Sequence, residues 1–341
     1  MRSIKENFLA IAAFMALSAG IYYSGAKFHV PWFGSNDFNQ YYMMVSDPFD
    51  NDALSPWAYR MFSTTVAHYV HQSGFFYDSA LTPYKEYYVS YNSVDYDPSI
   101  LSALIFTNYL FFTIAAFFLY KSIRLVLDEV ELEDVTTSFL LPSLIFLSLS
   151  TVVYGYAGLT EGAGLFFVSI LLYLYLKNYF ILFFVMSVVS VSSRELVPLI
   201  LIFYLLVSSG TQRSKYLITS GIAFASYFAM RFLFQIPGNE NQTNPSSLIE
   251  NILNFELSKD FIMQAILANN ITFFAVLLII SHGLRGIRCF LPYMLAISIL
   301  TVLGIAAGIG NNVGRILNLA LPLLVIGLAN WKVLLSKNTR P

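Results

Sequence analysis

Six charged residues, Asp37, Arg60, Glu161, Arg194, Glu195 and Arg315, stand out in this 341-residue chain because their types do acid–base and anion-binding chemistry and each falls at a predicted helix end or turn bordering an apolar run. A carboxylate at the mouth of a helical bundle can take a proton from a hydroxyl. An arginine fork holds a phosphate or diphosphate through paired, charge-assisted hydrogen bonds. Charges at helix ends that meet hydrocarbon are costly and usually face a cavity or a partner.

Local sequence positions each of them. In Ser35-Asn36-Asp37-Phe38-Asn39-Gln40-Tyr41, a helix starting near Ser35 or Asn36, a favoured cap position, puts Asp37, Gln40 and Tyr41 at i, i+3 and i+4 on one face. The same acid would favour the helix N-terminus through the dipole alone. Arg60 lies in Ser55-Pro56-Trp57-Ala58-Tyr59-Arg60-Met61-Phe62, where Pro56 suits a first helical turn. The spacing that follows is amphipathic, with Ala58, Met61, Phe62, Val66, Tyr69 and Val70 on one side and Arg60, Thr64, His68 and His71 on the other. Such a helix would lie flat at a membrane surface, either offering Arg60 to an anion or serving as a plain anchor. Glu161 falls in a tight turn between apolar runs, Arg194-Glu195 in another, and Arg315 just before the last run. An ion pair from Arg194 to Glu161 is the structural alternative to a substrate site.

The elements around them are set by composition. At 57% hydrophobic and 11% charged, with mean hydropathy +0.64, the chain reads as a bilayer protein. Apolar runs near 8–26, 100–120, 138–157, 162–176, 179–193, 196–210, 216–236, 271–284, 290–309 and 316–330 predict about ten spans of a ~30 Å hydrocarbon layer. Of the 19 Lys and Arg, 12 fall in segments on one side of that alternation, which the positive-inside rule makes cytoplasmic. The expectation is one integral domain over 1–341 with both termini cytoplasmic, an extracytoplasmic loop over 27–99, a cytoplasmic interfacial segment over 121–137 and a second outer loop over 237–270. Residues 1–26 resemble a secretory signal and are read as a retained first helix.

Cofactor signals are weak. The single cysteine, Cys289, excludes an intramolecular disulfide or a thiolate cage. His68 and His71 sit at i and i+3, a spacing that a polar face explains. Asp47, Asp50 and Asp52 read as a solvated turn around Pro48, though oxygen ligands of this type can hold a divalent ion. Tyr87, Tyr88 and Tyr91 are candidates for stacking on sugar rings. No cofactor is expected, and the absence of a basic patch argues against nucleic acid.

Proton abstraction joined to stabilisation of a departing phosphate is the chemistry of glycosyl transfer from a lipid-phosphate donor. The order of a first helix, Asp37-x-x-x-Tyr41, then Tyr59-Arg60-x-Phe62 leading into a flat helix, resembles the bacterial membrane glycosyltransferases of the C-type (GT-C) superfamily. That resemblance implies Asp37 as the base, Arg60, Arg194 and Arg315 as phosphate ligands with Glu161, Glu195, Tyr41 and Gln40 beside them, and a polyprenyl-phosphate or polyprenyl-diphosphate sugar donor. It implies a glycan or lipid acceptor and an inner-membrane site facing outward. The sequence departs from the family where Met61-Phe62-Ser63-Thr64 lacks the usual proline, and where Asn36-Asp37 replaces a paired acid that would favour a metal. The rival readings are a polysaccharide polymerase or ligase using lipid-diphosphate glycans, and a transporter or flippase.

Overall fold

The computed structural model describes residues 2–28, 36–48, 53, 60–75, 97–128, 135–148, 151–152, 161–208, 212–234, 245–259, 261–262, 270–308 and 313–339, and all regular structure among them is helical. The helices run α1 (Arg2–Phe28), α2 (Asn36–Ser46), α3 (Met61–Gln72), α4 (Pro98–Asp128), α5 (Val135–Leu147), α6 (Glu161–Leu176), α7 (Phe180–Val191) and α8 (Val197–Val207). They continue with α9 (Arg213–Phe234), α10 (Pro245–Leu253), α11 (Asn270–Ala306), α12 (Val313–Leu317), a 3₁₀ turn (Asn318–Ala320) and α13 (Leu321–Thr339).

Helix boundaries follow local chemistry. The Asp97 carboxylate accepts the Ser99 N–H at 2.8 Å and the Ser99 hydroxyl at 2.6 Å, and Pro98 opens α4 where its missing N–H costs nothing. α6 ends because Asn178 adopts φ 58°, the left-handed conformation that closes helices and that asparagine tolerates. Pro198 lies in the first turn of α8, where its missing N–H likewise costs nothing.

α4 is the central helix, packed along α6 and against α1, α3, α5 and α13. The main apolar core gathers Phe112, Leu119, Phe167, Leu171, Ile200, Phe290 and Leu324 from α4, α6, α8, α11 and α13. A second cluster, with Tyr41, Met44, Val45, Ala67, Leu101 and Leu104, fixes α2 and α3 over the first turns of α4. α4 and α6 approach closely at Gly162, where an added Cβ would lie 2.8 Å from Asn108 Oδ1 and 3.0 Å from the Asn108 carbonyl oxygen.

This architecture corrects the expected polytopic fold of about ten transmembrane helices. Among the described residues, three helices have the length and composition to cross a membrane, Ser99–Asp128, Gly286–Ala306 and Asn318–Lys337. Val135–Leu147, Glu161–Leu176, Phe180–Val191 and Val197–Val207 are apolar but only 10–17 residues long, short of the ~20 that hydrocarbon requires. Their hydrophobicity has another cause. In α6, 12 of 16 residues are buried in the protein, and a helix surrounded by other helices is apolar all round for the same reason as a span.

The alternation of sides fails with them. The runs 271–284 and 290–309, counted as two crossings, belong to the single 37-residue helix α11, which continues through Arg285, Gly286 and Arg288 and contains Pro292. Arginine is a good helix former and one glycine costs only about 1 kcal/mol, so nothing there forces a turn. The multi-pass inner-membrane localisation, with cytoplasmic termini and an extracytoplasmic 27–99 loop, counted those runs separately and is corrected too. Residues 121–128 prolong α4, and residues 129–134 lie outside the described residues.

α3 also turns the other way. Ser63, Thr64, Ala67 and His71 are buried, whereas Met61 and Tyr69 are exposed. The polar face points inward because partners wait there, and the flat surface helix with outward-facing polar groups is not formed.

The close approach at Gly162 makes a stability difference. Gly162→Ala should destabilise by about 1–3 kcal/mol, since its new methyl meets backbone of α4. Gly221→Ala, at a helical glycine with nothing within 4 Å of the added Cβ, should stabilise by up to ~1 kcal/mol. Thermal unfolding in detergent compares the two, and equal effects would count against the α4–α6 contact.

Candidate functional site

Two charged pairs meet at the turn between α7 and α8. The Phe62 N–H donates to the Ser192 carbonyl at 2.9 Å, which brings the first turn of α3 onto that turn and sets Arg60, its N-cap residue, opposite Glu195. Arg60 Nε donates to Glu195 Oε2 at 3.1 Å and Nη2 to Oε1 at 2.7 Å, a two-bond fork. Nη1 donates to the Tyr41 hydroxyl at 3.0 Å, and Tyr41 on α2 is fully buried. These bonds use three of the five N–H groups a guanidinium carries.

The adjacent residue, Arg194, turns toward α6, and its Nη2 donates to Glu161 Oε1. Glu161 is the first residue of α6, with its side chain 1% exposed, where the helix dipole favours an anion. Asn108, on α4, accepts the Gly162 N–H at 3.1 Å and so fixes the turn that carries Glu161. Gly164 leaves room for Arg194, whose Cγ would lie 3.1 Å from an added Cβ. The result is a run of alternating charges, Arg60, Glu195, Arg194, Glu161, drawn from three chain segments.

The field of these charges is strong. Burial would push the Glu195 carboxyl up, but the Arg60 guanidinium, through charge and hydrogen bonds, outweighs it and with Arg194 holds the carboxyl at about 2. Burial would lower the Arg60 pKa, and Glu195 and Tyr41 hold it well above its ordinary value instead. Each partner therefore stays charged at neutral pH.

The structure thus brings together Arg60, Glu195, Tyr41, Arg194 and Glu161. The Arg194–Glu161 pair is the ion pair foreseen as the structural alternative. Asp37 and Gln40 lie on α2, where Gln40 is half-buried, and Asp37 stands one turn before Tyr41. Arg315 lies on α12. The side chains of Asp37 and Arg315 fall outside the described residues, as do Asp50, Asp52, Tyr87, Tyr88 and Tyr91.

Sequence reasoning missed Asn108, whose signal was a lone amide inside the apolar run 100–120. It also missed a second polar network, in which His71 Nε2 lies 2.9 Å from Ser99 Oγ and 3.3 Å from Asp97 Oδ2, and the Asp97 N–H donates to the Tyr42 hydroxyl at 2.9 Å. His68 Nδ1 donates to the Val45 carbonyl at 2.6 Å. The two histidines therefore serve different partners, and no cluster of three His, Cys, Asp or Glu suited to a metal occurs among the described residues.

No family model, curated protein or solved structure matches the chain. The resemblance to the GT-C superfamily does not hold. It combined a ten-span topology, which the helices contradict, with short motifs around Asp37 and Arg60 that bring no family model to a match. The membrane glycosyltransferase using a polyprenyl-linked donor, and the polymerase, ligase and transporter alternatives built on the same topology, fall with it.

Because the folded-state pKa of Glu195 lies below its ordinary 4.5, its contribution is present above pH 4.5 and is lost as pH falls toward 2. Wild type should lose on the order of 3 kcal/mol across that window beyond what Glu195→Gln loses. Thermal unfolding in detergent at stepped pH reads the difference, and parallel curves would show that the Arg60 pair contributes no such linkage.

Proposed function

We propose that the chain is a group-transfer enzyme whose charged run handles an anionic, phosphorylated substrate. The observation that carries this reading is the convergence of two arginines and two carboxylates from three segments on one largely buried cluster. Charges are rarely gathered in an apolar interior without use for them, and perturbed, clustered titratable groups mark functional sites. Arginine supplies the planar fork that phosphate oxygens match. The carboxylates supply acid–base capacity. Asp37 is the proposed base, since it lies one turn from Tyr41, which touches Arg60.

A lipid bilayer is a proposed partner. Ile181, Leu182 and Phe184 on α7 and Ile218, Ile222 and Phe228 on α9 are exposed, and apolar surface of that extent marks contact with a partner or a membrane.

Purified protein in detergent should bind inorganic diphosphate saturably by calorimetry, and Arg60→Ala should weaken that binding about tenfold or more, the loss of one charge-assisted contact of roughly 1.5–3 kcal/mol. Asp37→Asn should bind diphosphate within about twofold of wild type. A polar lipid extract compared by mass spectrometry before and after incubation should change with wild type, and 10²–10⁴-fold more slowly with Asp37→Asn. Diphosphate binding that is absent, or unaffected by Arg60→Ala, would overturn the anion site, and a fully active Asp37→Asn would remove Asp37 as the base.

A further inference from the structure

We infer that Glu195 occupies the seat of the substrate anion, so that a ligand with a doubly charged phosphate edge binds by displacing this internal carboxylate. The inference rests on the anion-handling reading and adds the ligand class and the competition built into the site. Glu195 takes the Arg60 fork through both oxygens, the geometry that a guanidinium offers equally to carboxylate and phosphate. It also feels the charge of Arg194, and therefore sits in the field of both arginines.

The two carboxylates of the run are not equivalent. The Glu161 side chain is 1% exposed and leads α6, and Glu195 is 16% exposed on a turn. Solvent reaches only the second, so Glu195 is the group that can leave. The Arg60 side chain is itself 10% exposed.

Charge selects the ligand. Two arginines and two glutamates sum to zero, and withdrawal of Glu195 leaves these groups with a net charge of about +1, centred on the Arg60 guanidinium that Glu195 had paired. A carboxylate monoanion would merely restore what was there, with no gain over the tethered Glu195. A phosphate monoester or diphosphate brings more negative charge and a third acceptor oxygen, which the Arg60 N–H groups not used by Glu195 and Tyr41 can meet. Affinity is then a difference, the incoming dianion less the resident carboxylate. Discrimination against simple carboxylates follows from that difference.

Inorganic diphosphate and acetate are titrated into wild type and Glu195→Gln in detergent, with cooperative unfolding of each protein checked by a thermal melt. Glu195→Gln should bind diphosphate about tenfold or more tightly than wild type, and acetate should bind neither at comparable concentration. A folded Glu195→Gln that binds diphosphate equally or more weakly would make Glu195 a support for Arg60 and overturn the inference, leaving the anion site standing. Wild type decides the matter if the variant does not fold: with saturating diphosphate, carbodiimide labelling of the Glu195 carboxylate, read by peptide mass spectrometry, should increase several-fold over the free protein. Unchanged or reduced labelling overturns displacement. Failure of both proteins to bind diphosphate would overturn the anion-handling reading itself.

Discussion

Four charges removed from water at one turn are the constraint around which this fold is arranged. Desolvating a carboxylate or guanidinium costs several kcal/mol even after relaxation, and only close, multiply hydrogen-bonded pairing offsets it. The turn between α7 and α8 must therefore present Arg194 to one neighbour and Glu195 to another. Close packing at Gly162 and Gly164, the Asn108 acceptor on α4 and the main-chain bond from Phe62 to Ser192 each satisfy part of that demand. Removing one partner would leave an uncompensated charge in an apolar interior, a far larger penalty than the net contribution of the pair. The pairs thus specify which helices meet more than they add stability.

Much of this was legible locally and little of it globally. The start of α2 at Asn36 followed from the cap residue and the Asp37, Gln40, Tyr41 spacing, and Arg194 opposite Glu161 followed from two charges at the ends of successive apolar runs. Hydropathy failed where burial has two possible causes. The residues of α6 are apolar because α4 and α8 surround them, and a window of sequence cannot tell that from lipid. Arg285 and Arg288 looked like an inner loop because charge interrupts the run. They sit within one helix because their propensity permits it, and only tertiary structure reveals the continuity of α11.

The inward polar face of α3 shows a further limit. An amphipathic pattern gives two faces, and the convention that the apolar face is buried assumes that the polar face has no partners. His71 has the Asp97–Ser99 pair to meet, and Arg60 has Glu195 and Tyr41. All four partners come from elsewhere in the chain, at separations no local pattern encodes. The fully buried Thr64 and Ala67 are small enough to let these contacts close.

The two polar networks share α2. Tyr41 contacts Arg60 and Tyr42 contacts Asp97, so successive residues of one helix join the charged run to the cap of α4. Burial would raise the Asp97 carboxyl, but the hydrogen bonds from Ser99 and the contact with His71 leave it lowered. Glu195 is lowered as well, for the same kind of reason. Both carboxylates therefore hold the α2–α3 layer to the helical body above their ordinary pKa values and lose that hold in acid, in the same direction and over overlapping ranges. The main core around α4, α6, α11 and α13 is packed by apolar side chains. A layer attached by titratable contacts to a body packed by apolar ones can loosen while the body stays folded, and α2, with Tyr41 and Asp37 one turn apart, is the element through which that loosening would reach the charged run.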